Sequence, residues 1–273
     1  MLDPNASAPV ASFQHATFRI GNRTLWEDVC LDIQPGEFIA VLGPNGAGKT
    51  TMLKALLGER PLASGKALIH KGMGVGYVPQ ARQEAPIAPM RGRDLVGLGL
   101  DGHRAGLLRS RGARERIDTV LEEVGAAGYA DAPTSMLSGG ELQRLRVACA
   151  LVSDPDLLLC DEPLASLDPG HQNALSAIIA GRCGSADLKA GIAVLFVTHE
   201  ITPVLPYVNR VIYIAGGSLR VGSVDEVMRS DVLSHMYGQP VDVLRHEGSI
   251  IVLARGAGPD QPHVHGLDVL EEG

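Results

Sequence analysis

Long apolar runs are missing from this chain. None approaches the ~20 residues that a helix needs to span a bilayer. If the protein works at a membrane, another subunit supplies the span. The opening MLDPNASAPVAS has neither the basic n-region nor the apolar h-region of a secretory signal. Cysteine is sparse: Cys30, Cys149, Cys160 and Cys183 are far apart and form no C-x-x-C pair. Cys149 and Cys160 fall in apolar runs, so buried reduced thiols and a cytosolic setting are expected. Positive charge is in deficit, with a formal net charge of -7, which argues against a general nucleic-acid binder. Aromatics make up only 4% of a composition otherwise ordinary for a soluble globular protein. The length, 273 residues, suits one large or two small domains.

Glycine, in contrast, is placed with purpose. Phe38 to Leu42 is an unbroken apolar run, as in a strand buried on both faces. Gly43-Pro44-Asn45-Gly46-Ala47-Gly48-Lys49-Thr50 follows and fits G-x-x-x-x-G-K-[ST]. Its glycines let successive N–H groups turn inward and cradle phosphate oxygens. Met52, Leu53, Leu56 and Leu57 then recur at helical spacing up to Gly58. The positive end of that helix points at the same phosphates. Lys49 reaches the β- and γ-phosphates, and the Thr50 hydroxyl faces Mg²⁺. A Gly-rich turn without a ligand explains neither the Gly-Lys-Thr triplet nor the flanking strand and helix. The loop implies a nucleoside triphosphate but not the work done with it.

LLLCDEP (157–163) narrows the work. Four apolar residues deliver Asp161 and Glu162 to a strand's carboxyl end. Neighbouring side chains on a strand point oppositely, so the two acids can do different jobs. Asp161 suits Mg²⁺, and Glu162 suits a general base that takes a proton from water. Water attack makes a hydrolase rather than a kinase. LSGGELQR (137–144) sets Ser138-Gly139-Gly140 just before a helix, a second anion site by the same logic. Two separated phosphate sites in one chain suggest that two chains share each nucleotide.

The rest of the chain frames these motifs. Phe13 to Ile33 reads as short strands turning at Gly21-Asn22, and 66–80 as strand, turn and strand ending at Gln80. Strand signals then vanish. Ile117, Val120, Leu121 and Val124 mark a surface helix, and 140–154 reads as a second helix with Leu142, Leu145, Ala148, Cys149 and Val152 on one face. Asp156 to Cys160 and Ile192 to Val197 are further buried strands. Residues 211–222 and 241–254 read as hairpins around a helical stretch at 224–236. Strands alternating with helices predict an α/β fold with a mainly parallel sheet and ligands at the strands' carboxyl ends.

As an ordered set, GPNGAGKT, Gln80, LSGGE, LLLCDEP, SLD (166–168) and His199 in FVTHE resemble the ATP-binding subunits of ABC transporters over about residues 13–240. The resemblance implies a P-loop NTPase, RecA-like core with an antiparallel β subdomain and an inserted α-helical subdomain at about 81–152. A flexible tail (1–12), a C-terminal hairpin (241–256) and a second tail (257–273) would flank it. It also implies an ATPase whose two copies bind two MgATP head to tail. Gly43 to Thr51 of one chain and Ser138, Gly139, Gly140 and Glu141 of the other grip each nucleotide. Gln80 would sense Mg²⁺ and the attacking water, Ser166 and Asp168 would cross between sites, and His199 would contact the γ-phosphate. Residues 81–94 would dock integral-membrane permease subunits at the cytoplasmic face of a bacterial membrane, with a substrate-binding protein across it.

Two departures from the family pattern stand out. Ile20 occupies the place of the usual adenine-stacking aromatic, so either Ile20 makes an apolar contact or Phe18 or Phe13 compensates. Glu141 replaces the commoner Gln, a variant associated with metal and some other importers. THEITPVLPYVNRVIYIAGGSLRVGSVDEVM is similar to subunits of bacterial zinc and manganese importers. Iron-chelate and cobalamin importers have related subunits. His263 and His265 suit either metal sensing or an ordinary solvated tail. A soluble ATPase acting on nucleic acid or ribosomes is the competing class. It lacks support, because no long coiled coil, second cassette or basic patch is present.

Overall fold

A computed structural model describes residues 8–80, 90–101, 110–165, 167–184, 191–246 and 248–254. The chain opens with an antiparallel pair, β1 (Ala11–Ile20) and β2 (Arg23–Ile33). Then come β3 (Phe38–Leu42), α1 (Lys49–Leu56), β4 (Ser64–Ile69) and β5 (Val75–Val78). Three helices follow: α2 (Gly92–Asp101), α3 (Arg111–Glu123) and α4 (Gly139–Leu151). The core resumes with β6 (Leu157–Asp161), α5 (Pro169–Gly181) and β7 (Ala193–Val197). It ends with β8 (Arg210–Ala215), β9 (Ser218–Gly222), α6 (Val224–Val227), α7 (Ser230–Tyr237), β10 (Val241–His246) and β11 (Ser249–Ala254).

The central sheet runs β5-β6-β7-β3-β8-β9, parallel except for β9. β3, β6 and β7 are buried at every position, as unbroken apolar runs require. Their alternate residues feed two cores. Ile39, Val41, Leu157, Leu159 and Leu195 face α1 and the sheet β2-β1-β4. Phe38, Leu158, Cys160, Val194 and Phe196 face the helices and the C-terminal elements. β4 and β5, adjacent in sequence, enter different sheets.

Several expectations shift. The expected tail (1–12) gives way early, since β1 begins at Ala11 and Val10 is buried. Residues 257–273, with His263 and His265, lie outside the described residues, as do Ser166 and 81–89 of the docking segment. Only Cys160 is buried; Cys149 and Cys183 are half-buried and Cys30 is exposed. α4 buries Gln143, Val147 and Ala150 besides Leu145 and Ala148, while Leu142 and Cys149 are only half-buried. Its buried residues thus extend beyond the single expected face. α2 crosses it so closely that a Cβ on Gly99 would lie 2.0 Å from the Cys149 carbonyl oxygen.

Candidate active site

The phosphate loop is built from backbone constraints. β3 ends at Leu42, and Gly43 adopts φ 138, with space for a Cβ closed by the Ile214 carbonyl oxygen 2.0 Å away. α1 starts from Gly48, left-handed at φ 102, with no side-chain cap. The first-turn N–H groups therefore face the loop without a side-chain partner. Lys49 curls over this concavity and donates to the Gly43 and Pro44 carbonyls at 2.7 and 3.1 Å. Burial lowers its pKa to about 8, against the opposing pull of Glu162 and Asp161. Asn45 and Gly46 are exposed, and Ala47 and Gly48 are buried.

Trp26 braces the loop from below, a role that sequence reading missed. It is fully buried, and its indole N–H reaches the Gly48 carbonyl at 3.5 Å. Phe13 and Phe18 pack on Trp26 with ring centroids 6.1 and 5.8 Å away. Both are buried in the core, so neither is available to stack on a base. That removes the expected aromatic compensation. Ile20, 61% exposed at the hairpin end, is left as the apolar candidate. A lone tryptophan on a strand ahead of the loop was the available signal.

Adjacent strands carry the remaining groups to one edge. Gln80 follows β5, Glu162 follows β6 and His199 follows β7, and these strands are neighbours. Asp161 is fully buried, and its Oδ1 accepts from the Thr50 hydroxyl at 2.9 Å. Its Oδ2 is buried and has no hydrogen-bond partner among the described residues. Burial pushes its carboxyl pKa up, with Thr50 opposing. Glu162 sits in the left-handed region at φ 51, where a non-glycine residue stores strain. Both of its carboxylate oxygens are engaged. Oε1 lies 2.5 Å from His199 Nε2, and Oε2 accepts from the Gln80 amide at 2.6 Å. Burial pushes this carboxyl up, but the His199 bond and charge, Lys49 and Gln80 together hold it below the usual range.

The other expected residues lie apart from this cluster. Ser138 caps α4 in a closed box: its Oγ accepts from the Glu141 N–H at 3.3 Å. Glu141 Oε2 accepts from the Ser138 N–H and hydroxyl, both at 2.8 Å. All three bonds stay within the turn. They hold the Glu141 carboxyl below its usual range, first through the Ser138 backbone. Gly140 packs near Leu167, where a Cβ would meet its Cδ2 at 3.1 Å. Asp168 caps α5 by accepting from the His171 N–H at 3.1 Å, and it pairs with the His171 ring. A cavity of about 750 Å³ meets the phosphate loop only at its first residue, Gly43. Gly43, Leu167, His199 and Tyr213 line it, and Ile250 and Val252 of β11 close it, so the C-terminal hairpin borders the His199 region.

A glycine cradle with a buried lysine, beside paired acids on a parallel sheet, defines a P-loop nucleotide-hydrolysing cassette. The family description "ABC transporter" matches residues 26–165, and the chain belongs to that family as an ATP-binding, ATP-hydrolysing subunit. It is 34% identical to the zinc import ATP-binding protein ZnuC of Magnetococcus marinus, over 80% of this chain and 78% of that one. It is 38% identical to the aliphatic sulfonates import ATP-binding protein SsuB 1 of Pseudomonas fluorescens, over 74% and 72%. A putative metal-chelate type ABC transporter, solved in an inward-facing conformation, superposes with a TM-score of 0.76 at 24% identity, over 91% and 97%. Among the described residues no helix is long and apolar enough to cross a membrane.

Proposed function

We propose that this chain energises import of a divalent metal ion, Zn²⁺ or Mn²⁺, through a separate membrane permease served by a substrate-binding protein. It would act as a dimer at the cytoplasmic face of a bacterial membrane. The Gln80–Glu162–His199 chain beside Lys49 carries the mechanism. Arriving phosphates take over the Lys49 ammonium from the Gly43 and Pro44 carbonyls, and the first-turn N–H groups of α1 bind the same oxygens. Thr50 and Asp161 suit Mg²⁺: a hydroxyl and a carboxylate with one buried unpartnered oxygen are hard oxygen donors. Gln80 adds an amide oxygen nearby. Bound there, Mg²⁺ neutralises charge on the phosphates.

Without nucleotide, Glu162 is masked on both oxygens by His199 and Gln80. A γ-phosphate competes for the His199 ring and so frees Glu162 Oε1 to take a proton from the attacking water. Hydrolysis is thereby tied to the presence of the group to be cleaved. Ser138, Gly139, Gly140 and Glu141 of one copy close on the nucleotide of the other, while Ser166 and Asp168 bridge the two sites. Loss of the γ-phosphate lets the dimer open.

Metal cargo rests on the similarity to the zinc import protein. Import of a metal chelate is the second reading, favoured by the superposed metal-chelate type transporter. Cellular zinc, manganese and iron should be measured with the gene intact or carrying Lys49→Ala, under limitation for each metal. A selective fall in zinc or manganese supports the proposal, and a fall in iron alone supports the chelate reading. Unchanged metals remove both.

A further inference from the structure

Two irregularities in the antiparallel sheet converge on one point of its solvent face. The register pairs Phe13 with Leu31, Ala16 with Val29 and Phe18 with Trp26. β1 thus carries an extra residue between Phe13 and Ala16, and β2 carries one between Trp26 and Val29. Strict alternation would turn His15 inward after buried Phe13, and Asp28 inward after buried Trp26. Instead both are exposed, and both adopt the left-handed region, at φ 47 and 49. Thr17 Oγ1 accepts from the Asp28 N–H at 3.1 Å and holds that bulge in place. Cys30 follows the regular alternation and points outward beside them. His15 Nδ1 lies 2.7 Å from Asp28 Oδ1 and 3.6 Å from Cys30 Sγ. Imidazole nitrogen, carboxylate oxygen and thiol sulfur lie within 4.8 Å of one another.

We propose that His15, Asp28 and Cys30 form a Zn²⁺ site on the β subdomain, separate from the nucleotide site. Tetrahedral ligands at ~2.0–2.3 Å from zinc stand roughly 3.3–3.8 Å apart. Of the present separations, the 3.6 Å between His15 and Cys30 falls in that range and the 2.7 Å between His15 and Asp28 falls short of it, a difference that rotation of the exposed side chains closes. A thiolate with an imidazole selects zinc over the hard cations Mg²⁺ and Ca²⁺. Three protein ligands leave a fourth position for water or for a donor from another molecule. The exposure of all three makes the site exchangeable rather than a folding staple. Trp26, which braces Gly48 of the phosphate loop, precedes Asp28 by two residues on β2. Zinc here would lie close in sequence to a side chain that supports the nucleotide cradle. The assignment does not depend on what the transporter carries.

The test is titration of the reduced full-length chain with Co²⁺, whose bond to a thiolate gives a near-ultraviolet absorption band, followed by displacement with Zn²⁺. The wild type is expected to show the band at one equivalent per chain. Cys30→Ser should abolish it, and His15→Ala should weaken Co²⁺ by about 100-fold or more, since even outer-shell changes cost 10–100-fold. The variant His263→Ala/His265→Ala should keep the band. Nucleotide affinity of Cys30→Ser should equal that of the wild type, which shows that the variant is folded. A wild type without the band, a band that survives Cys30→Ser, or one lost with the tail histidines would each overturn the site.

Discussion

Two helices of this chain begin with glycine-rich turns suited to an anion, and the turns are finished differently. α1 starts from a bare left-handed Gly48, with a buried lysine folded over its first turn. α4 starts from Ser138, whose capping box with Glu141 already occupies the first-turn donors that a side chain can reach. The first turn is incomplete without a ligand. In the second the Glu141 N–H is already bonded within the chain, yet Ser138 and Gly139 are exposed and nearby Met136 is 78% exposed. On the proposed reading, a phosphate bound at α1 would replace the carbonyl contacts of Lys49. One bound at α4 must compete with Glu141 for the Ser138 hydroxyl. The difference suits a primary site in one chain and a half-site used only when a second chain supplies the nucleotide.

Substitutions test that contrast by size of effect. Lys49→Ala removes the buried charge at α1 and should lower ATP turnover by about 10³-fold or more, as measured by phosphate release. Near-normal turnover would erase the distinction between the two turns. Glu162→Gln should keep nucleotide binding while turnover falls about 10²–10³-fold. Gel filtration with MgATP should then show a trapped dimer, and a persistent monomer would leave α4 without a partner nucleotide. Ser138→Ala should cost about tenfold in turnover through one lost hydrogen bond to a charged group. The lost cap should also cost about 1 kcal/mol of stability, read by denaturant unfolding. Equal losses of turnover and of ATP affinity in the monomer would deny α4 its role in trans.

Burial lowers the Lys49 pKa to about 8, so the free protein gives up that proton as pH rises through this value, and a bound phosphate draws it back. Calorimetry in buffers of different ionisation enthalpy should show proton uptake on MgATP binding near pH 8. Affinity should weaken by about tenfold between pH 7 and 9 if only the ammonium form binds phosphate. The smallest effect is expected for Glu141→Gln. Glutamine also closes a capping box, so turnover should stay within about twofold.

Legibility followed the locality of each signal. β3, β6 and β7 were readable because burial on both faces demands continuous apolar runs. α3 was readable from Ile117, Val120 and Leu121 at helical spacing. α2 was missed, because Gly92, Gly97 and Gly99 weaken the helical signal and the closeness of Cys149 is what makes Gly99 necessary. The burial of Phe13 and Phe18 around Trp26 was equally hidden, since nothing along the strand says which aromatic packs on which.

By itself the sequence determined the motifs and their order, and with them the alternating strands and helices and the kinds of chemistry available. Those follow from short-range rules: glycine where φ is positive, apolar runs where strands are buried, acids where a strand ends. The tertiary structure alone decided who meets whom. Gln80, Glu162 and His199 converge because β5, β6 and β7 lie side by side, although long stretches of chain separate them. Likewise, bulges on two strands turn His15 and Asp28 out beside Cys30. Register and strand order are set by packing across the whole sheet, so no local pattern carries them.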